Sequence, residues 1–159
     1  LKKLEDDREM KKLLSETEKL REKMMLLIEE DAKAFDEVMS SFSLPKETDE
    51  EKKERSKAIQ EAFKGAAEVP YQTAETCVEA SEIAAVVAEK GEKNAISDVG
   101  CAAWLLRSAF YGAKLNVDIN LSAIKDEGFV SNLGNGLDIL LKTLEENLSK
   151  ALNLVKEGL

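Results

Sequence analysis

Apolar residues recur every three or four positions through most of the chain, the spacing of one face of an α-helix. The first such run covers about residues 4–40, with Met10, Leu13, Leu20, Met24, Leu27, Phe35 and Val38 as its stripe. Its other face is crowded with Glu and Lys at ion-pairing offsets, so this helix is expected to protrude or to pair with a partner helix. "SSFSLPKETDEE" breaks the run. Pro45 disfavours helix at Leu44, and Thr48 followed by Glu51 is a capping-box signature. The second helix turns Ile59, Ala62, Phe63 and Ala66 inward and is expected to end near Val69, ahead of Pro70. Pro70 then opens a third helix at its first turn, rich in Ala, Cys, Ser and Val and closed by Gly91. A fourth helix, capped by Ser97 or Asp98, is expected to bury Val99, Ala102, Ala103, Leu106, Phe110 and Ala113, with Asn116 next on that face. "NVDINLSAIKDEGF" reads as a turn. A last helix over about residues 129–156 points Leu133, Leu137, Leu140, Leu141, Leu144, Leu148, Leu152 and Val155 inward. No strand-like alternation and no internal repeat competes with this pattern. The fold class is all-α: an antiparallel bundle of long helices forming one domain over residues 1–159.

Composition narrows the picture further. With 43% hydrophobic and 35% charged residues and two prolines, the chain has the makings of a helical globular protein. Only one Trp, two Tyr and five Phe are present, so Ala, Leu, Val and Ile must fill the core. A net charge of −9 argues against nucleic acid as a partner, since phosphate contacts need a basic surface. No apolar run reaches the roughly 20 residues of a membrane span, and no secretory signal is visible. A cytoplasmic location is expected. Cys77 and Cys101, each set among Ala and Val, are expected to be buried, reduced thiols. The chain has no histidine, which excludes His-based triads and His-ligated metal sites. Acid–base work near neutrality falls to a carboxylate, Lys, Cys or Tyr.

Several polar residues stand where the pattern asks for apolar ones. Asp31 shares a helical face with Leu20, Met24, Leu27, Ile28, Phe35 and Val38, so the spacing predicts a carboxylate turned toward the core. Such a group is either part of a buried ion pair or helix-end contact, or a proton carrier with a raised pKa. Asn116 and Asn120 flank Val117–Asp118–Ile119. They either satisfy backbone at a helix end or present paired donors and acceptors to a flat heterocycle. Asp98 is a helix-cap candidate, and Lys46, Arg55 and Arg107 are solvated charges or attractors of an anionic tail. Trp104 is expected in the core. Gly112, inside a helix, suggests close helix approach or ligand access.

Four stretches in order, "EEDAKAFDEVM", "LPKETDEEKKERSKAIQEAFKGAAEVP", "NAISDVGCAA" and "GAKLNVDINLSAIKDEGF", resemble the cyclodeaminase/cyclohydrolase family of folate enzymes, over about residues 21–129. The family includes the C-terminal half of formiminotransferase-cyclodeaminase and stand-alone methenyltetrahydrofolate cyclohydrolases. The resemblance implies an all-α fold that dimerises through long helices, as a homodimer or higher even oligomer. It also implies a tetrahydrofolate derivative as substrate, with no prosthetic group and no metal. The family's catalytic aspartate matches Asp31, and Asn116 and Asn120 are expected near the pterin. Pro70, Asp98 and Lys46 complete the expected substrate-binding set. Cyclodeamination closes N10 onto the formimino carbon and expels ammonia, giving 5,10-methenyltetrahydrofolate. Cyclohydrolase chemistry adds water to the methenyl carbon and opens the ring. Both need one group that gives and takes a proton, the role the resemblance implies for Asp31. The sequence lacks the Pro-Gly-Gly-Gly-Ser-type start usual in the family, and a preceding segment is expected in the gene product. The alternative is a non-catalytic helical dimerisation module of the same fold.

Overall fold

The computed structural model describes residues 2–159, with side chains from Arg8 onward. Four long helices make up the chain: α1 (Lys2–Phe42), α2 (Asp49–Lys90), α3 (Ile96–Leu121) and α4 (Glu127–Gly158), with a 3-10 turn at Lys93–Ala95. The expected all-α class holds. Among the described residues there is no strand, and no helix is long and apolar enough to cross a membrane.

The helix ends follow local chemistry. Arg55 closes α1, donating from Nε and Nη2 to the Phe42 carbonyl at 3.3 and 3.0 Å. Thr48 and Glu51 form the expected capping box at the start of α2. Gly91 ends α2 with φ −72°, so the glycine is required by space: a Cβ there would run into the Val87 carbonyl. Asp126 caps α4, its carboxylate accepting from the Phe129 N–H at 3.0 Å. Gln60 clamps the loop before it, donating to the Ala123 carbonyl and accepting from the Lys125 N–H.

Three sequence expectations need correction here. The helix does not stop at Val69, and Pro70 does not start a new one; α2 runs unbroken through Pro70, which lies inside it and is buried. Neither Ser97 nor Asp98 caps α3. The cap position is Ala95, with no side-chain bond, and Asp98 sits in the first turn, where its charge suits the helix dipole. The Asn116–Asn120 segment is not a turn. Val117 and Leu121 are buried, and Asn116 and Asn120 each donate to the carbonyl four residues back, so α3 continues to Leu121.

The central helix is α2, against which α1, α3 and α4 all pack. Small residues of α2 and α3 (Ala67, Ala74, Cys77, Ala103) let the helices approach, and Phe110, Val117, Leu137, Leu144 and Leu148 fill the space between them. Ser81, fully buried, donates to the Val78 carbonyl and accepts from Asn147 Nδ2 at 3.0 Å, tying α2 to α4. Trp104 is not in this core; it is 57% exposed and carries the Arg107 guanidinium over its ring at 4.8 Å. Arg107 is in turn paired with Glu145 of α4. Ala102 and Cys101 are also exposed. No heavy atom of a neighbouring element lies within 4 Å of the Cβ position of Gly112, so close helix approach within the chain does not explain that glycine.

Candidate active site

The row of α1 that faces the rest of the chain runs Leu27, Ala34, Val38 and Ser41, all buried. Asp31 occupies the place between Leu27 and Ala34 in that row. It is nevertheless exposed, which corrects the expectation of a buried carboxylate. Two of its expected core neighbours are on the outside as well: Ile28 is 65% and Phe35 63% exposed. For Asp31 and Ile28 the reason is a gap opposite them, which Phe35 does not line. A cleft of about 320 Å³ opens there, lined by Met24, Leu27, Ile28 and Asp31 of α1, Pro70 and Thr73 of α2, and Ala113 and Asn116 of α3. The facing residues are too short or too compact to fill the space, so the row stays open at one position. In effect α1 and α3 form the walls and α2 the floor.

Three of the residues singled out in the sequence, Asp31, Asn116 and Pro70, therefore meet in one cleft although they come from three helices. Asn120 stands one turn beyond Asn116, and its Nδ2 donates to the Ala66 carbonyl of α2 and the Asn116 carbonyl, both at 2.9 Å. Asn116 donates to the Gly112 carbonyl at 3.1 Å, which leaves its side-chain oxygen as the acceptor on that wall. Asp98 and Lys46 are not brought to this place. Asp98 lines a separate apolar groove with Thr17, Val87 and Leu105, at the other end of α3. Lys46 is exposed in the α1–α2 loop past the end of α1 at Phe42, and that end is roughly 16 Å along the helix from Asp31. Thr73 and Ala113 were not anticipated as cleft residues. Thr73 follows Pro70 by three positions on the same face of α2, and that spacing was the available signal.

Chemically, the cleft offers one carboxylate at a mostly apolar mouth, lined also by the Asn116 amide and the Pro70 ring. Among the described residues, no group of three or more His, Cys, Asp or Glu side chains is placed to hold a metal ion.

The family model for formiminotransferase-cyclodeaminase matches residues 1–138. The chain belongs to the formiminotransferase-cyclodeaminase family. Within it, the chain is 39% identical over 138 residues to a methenyltetrahydrofolate cyclohydrolase of Methylorubrum extorquens, covering 87% of this chain and 66% of that one. It is 32% identical over 136 residues to the formimidoyltransferase-cyclodeaminase of Sus scrofa, covering 86% of this chain and 25% of that protein. The fold superimposes on the crystal structure of a formiminotetrahydrofolate cyclodeaminase from Thermotoga maritima with a TM-score of 0.83 at 30% identity, over 94% of this chain and 70% of that one. The chain thus spans about two-thirds of the length of the cyclohydrolase and a quarter of that of the pig protein.

Proposed function

We propose that this protein is a folate one-carbon enzyme acting on the carbon unit between N5 and N10 of tetrahydrofolate. The activity is that of a formiminotetrahydrofolate cyclodeaminase or a methenyltetrahydrofolate cyclohydrolase, with Asp31 as general acid and base. A tetrahydrofolate derivative is the substrate, with no prosthetic group, and the working form is a homodimer or higher even oligomer. The observation that carries the reading is convergence. Asp31, Asn116 and Pro70 face one cleft, in a chain whose relatives carry those two names.

The cleft suits the chemistry in three ways. Pro70 and Ala113 give flat apolar contact to a ring system, and the Asn116 oxygen is placed to accept from a ring N–H or amino group. A bound ring covering the cleft excludes bulk water from the Asp31 carboxylate, the condition under which one positioned group handles protons well. In cyclodeamination, N10 bonds to the carbon of the protonated formimino group (N5–CH=NH2+) and loses its proton, the carbon's bond to the former imino nitrogen breaks, and that nitrogen gains the proton and leaves as ammonia. Asp31 takes the first proton and returns one to the amine. In the cyclohydrolase reaction it takes a proton from the water that adds to the methenyl carbon; the carbon–N5 bond then breaks as the new hydroxyl becomes the formyl carbonyl and gives its proton to solvent, and Asp31 returns its proton to N5. Holding N10 against the carbon supplies much of the remaining acceleration.

The test follows the methenyl absorbance with 5,10-methenyltetrahydrofolate and, separately, with the formimino substrate. Asp31→Asn is expected to lower the enzyme-dependent rate by roughly 10²–10⁴-fold. The thermal midpoint should stay put, because the replaced side chain is exposed. Equal rates for the two proteins would remove Asp31 from the mechanism. Failure of both substrates with the full gene product would leave the dimerisation module as the better reading.

A further inference from the structure

Pro70 lacks the backbone N–H that α2 needs at that position. In an ordinary helix the N–H of residue 70 would bond the carbonyl of Ala66, four residues earlier. That carbonyl belongs to a buried residue, where an unmet acceptor is costly. The pyrrolidine ring also crowds it. The missing donor comes from another helix: Asn120 Nδ2 reaches the Ala66 carbonyl at 2.9 Å. Its second amide hydrogen goes to the Asn116 carbonyl, also at 2.9 Å, so both hydrogens are committed. One side chain therefore holds the interrupted floor of the cleft (Pro70 and Thr73) in register with the wall that carries Asn116.

We propose that Asn120 is a positioning residue, a lock that replaces the helix hydrogen bond lost at Pro70 and so fixes the floor of the Asp31 cleft against its α3 wall. The lock stands on geometry alone; its consequence for catalysis rests on the folate reading above. This also gives Pro70 a reason to sit inside a helix. A proline floor has a backbone angle that cannot drift, and Asn120 makes the missing helix bond tolerable.

The interaction makes a specific coupling prediction. Pro70→Ala restores an N–H for the Ala66 carbonyl, so Asn120 becomes dispensable there. Four proteins are compared by urea unfolding: wild type, Asn120→Ala, Pro70→Ala and the double variant. Asn120→Ala is expected to raise the unfolding equilibrium constant by roughly tenfold, about 1.4 kcal/mol, when Pro70 is present. In the Pro70→Ala background the same change is expected to cost no more than about threefold. Asn120→Asp, which keeps the shape but sets a carboxylate against two carbonyl oxygens, should cost at least as much as Asn120→Ala. If Asn120→Ala itself fails to fold, a folded double variant supports the lock and an unfolded one overturns it. An equal cost in both backgrounds overturns it as well.

A second measurement separates positioning from bulk stability. At a denaturant-free temperature where every variant is folded, KM for 5,10-methenyltetrahydrofolate should rise about fivefold or more in Asn120→Ala with kcat nearly unchanged, because the wall binds and Asp31 reacts. The double variant should recover KM toward that of Pro70→Ala. A fall in kcat with KM unchanged would overturn the positioning role. If wild type turns over neither folate substrate, the functional reading fails by itself, and the unfolding cycle still decides the lock.

Discussion

Cys77 and Cys101 are the same side chain in opposite surroundings. Cys77 is wholly buried in the central core, and burial pushes its thiol up to about 11, since a thiolate there would lose its water. Cys101 is exposed on α3. At mildly alkaline pH, an aromatic disulfide reagent is expected to modify one thiol per chain quickly and the second only in denaturant; two fast equivalents would contradict the buried placement. The sequence presented both residues as buried because each is flanked by Ala and Val. Flanking composition shows that a helix is apolar, not which of its faces is covered. The same limit explains Asp31. Its register was legible, since it does stand in the row of Leu27, Ala34 and Val38. Its exposure was not, because that depends on how little Pro70, Thr73 and Ala113 project from two other helices. The role of Asn120 was hidden for the same reason: its partner carbonyl lies 54 residues away.

At the scale of elements, one of the two helix starts capped by a side chain was legible; the Asp126 cap of α4 was not, since its segment read as a turn. Thr48 with Glu51 was visible as a pattern because both partners lie within three residues. The start of α3 has no side-chain cap to find, and the passage of α2 through Pro70 depends on a donor from α3. The two capped starts also carry a pH dependence. The backbone N–H groups of Thr48 and Glu47 hold Glu51 below its ordinary range. Lys64 first, and then the Phe129 N–H, do the same for Asp126. A carboxylate depressed in the folded state adds stability above its unfolded pKa, and that contribution is lost as pH falls through the folded value. The thermal midpoint is therefore expected to fall as pH is lowered below the ordinary carboxylate range. The combined Glu51→Gln and Asp126→Asn variant should start lower at neutral pH and show a shallower fall. Parallel curves for the two proteins would mean that other carboxylates control the acid limit. Both groups are at the surface and partly screened, so added salt should weaken the part due to Lys64.

At the scale of the whole molecule, the outer surfaces of the two cleft walls are what a single chain leaves unfinished. On α1, Met25, Phe35 and Met39 recur at sums of three- and four-residue steps, each more than half exposed, next to Ile28 at the cleft mouth. On α3, Leu105, Leu115 and Ile119 are 70%, 69% and 68% exposed, and Gly112 leaves open space among them. Rows of this kind are what a partner helix covers, whereas isolated exposed apolar residues are ordinary. Ile139 of α4, also 68% exposed, is the isolated case and serves as the control. If a second copy covers α3, light scattering should give a mass of two chains or a higher even number. Leu115→Glu with Ile119→Glu should shift that mass toward one chain, and Ile139→Glu should leave it unchanged. Because α3 is also a wall of the Asp31 cleft, loss of the partner should raise KM for the folate substrate, and turnover per chain should fall on dilution of the unaltered protein. A single-chain mass for the unaltered protein at every concentration, with full activity, would show that the cleft is complete in one copy and would turn the exposed rows of α1 and α3 toward a different partner.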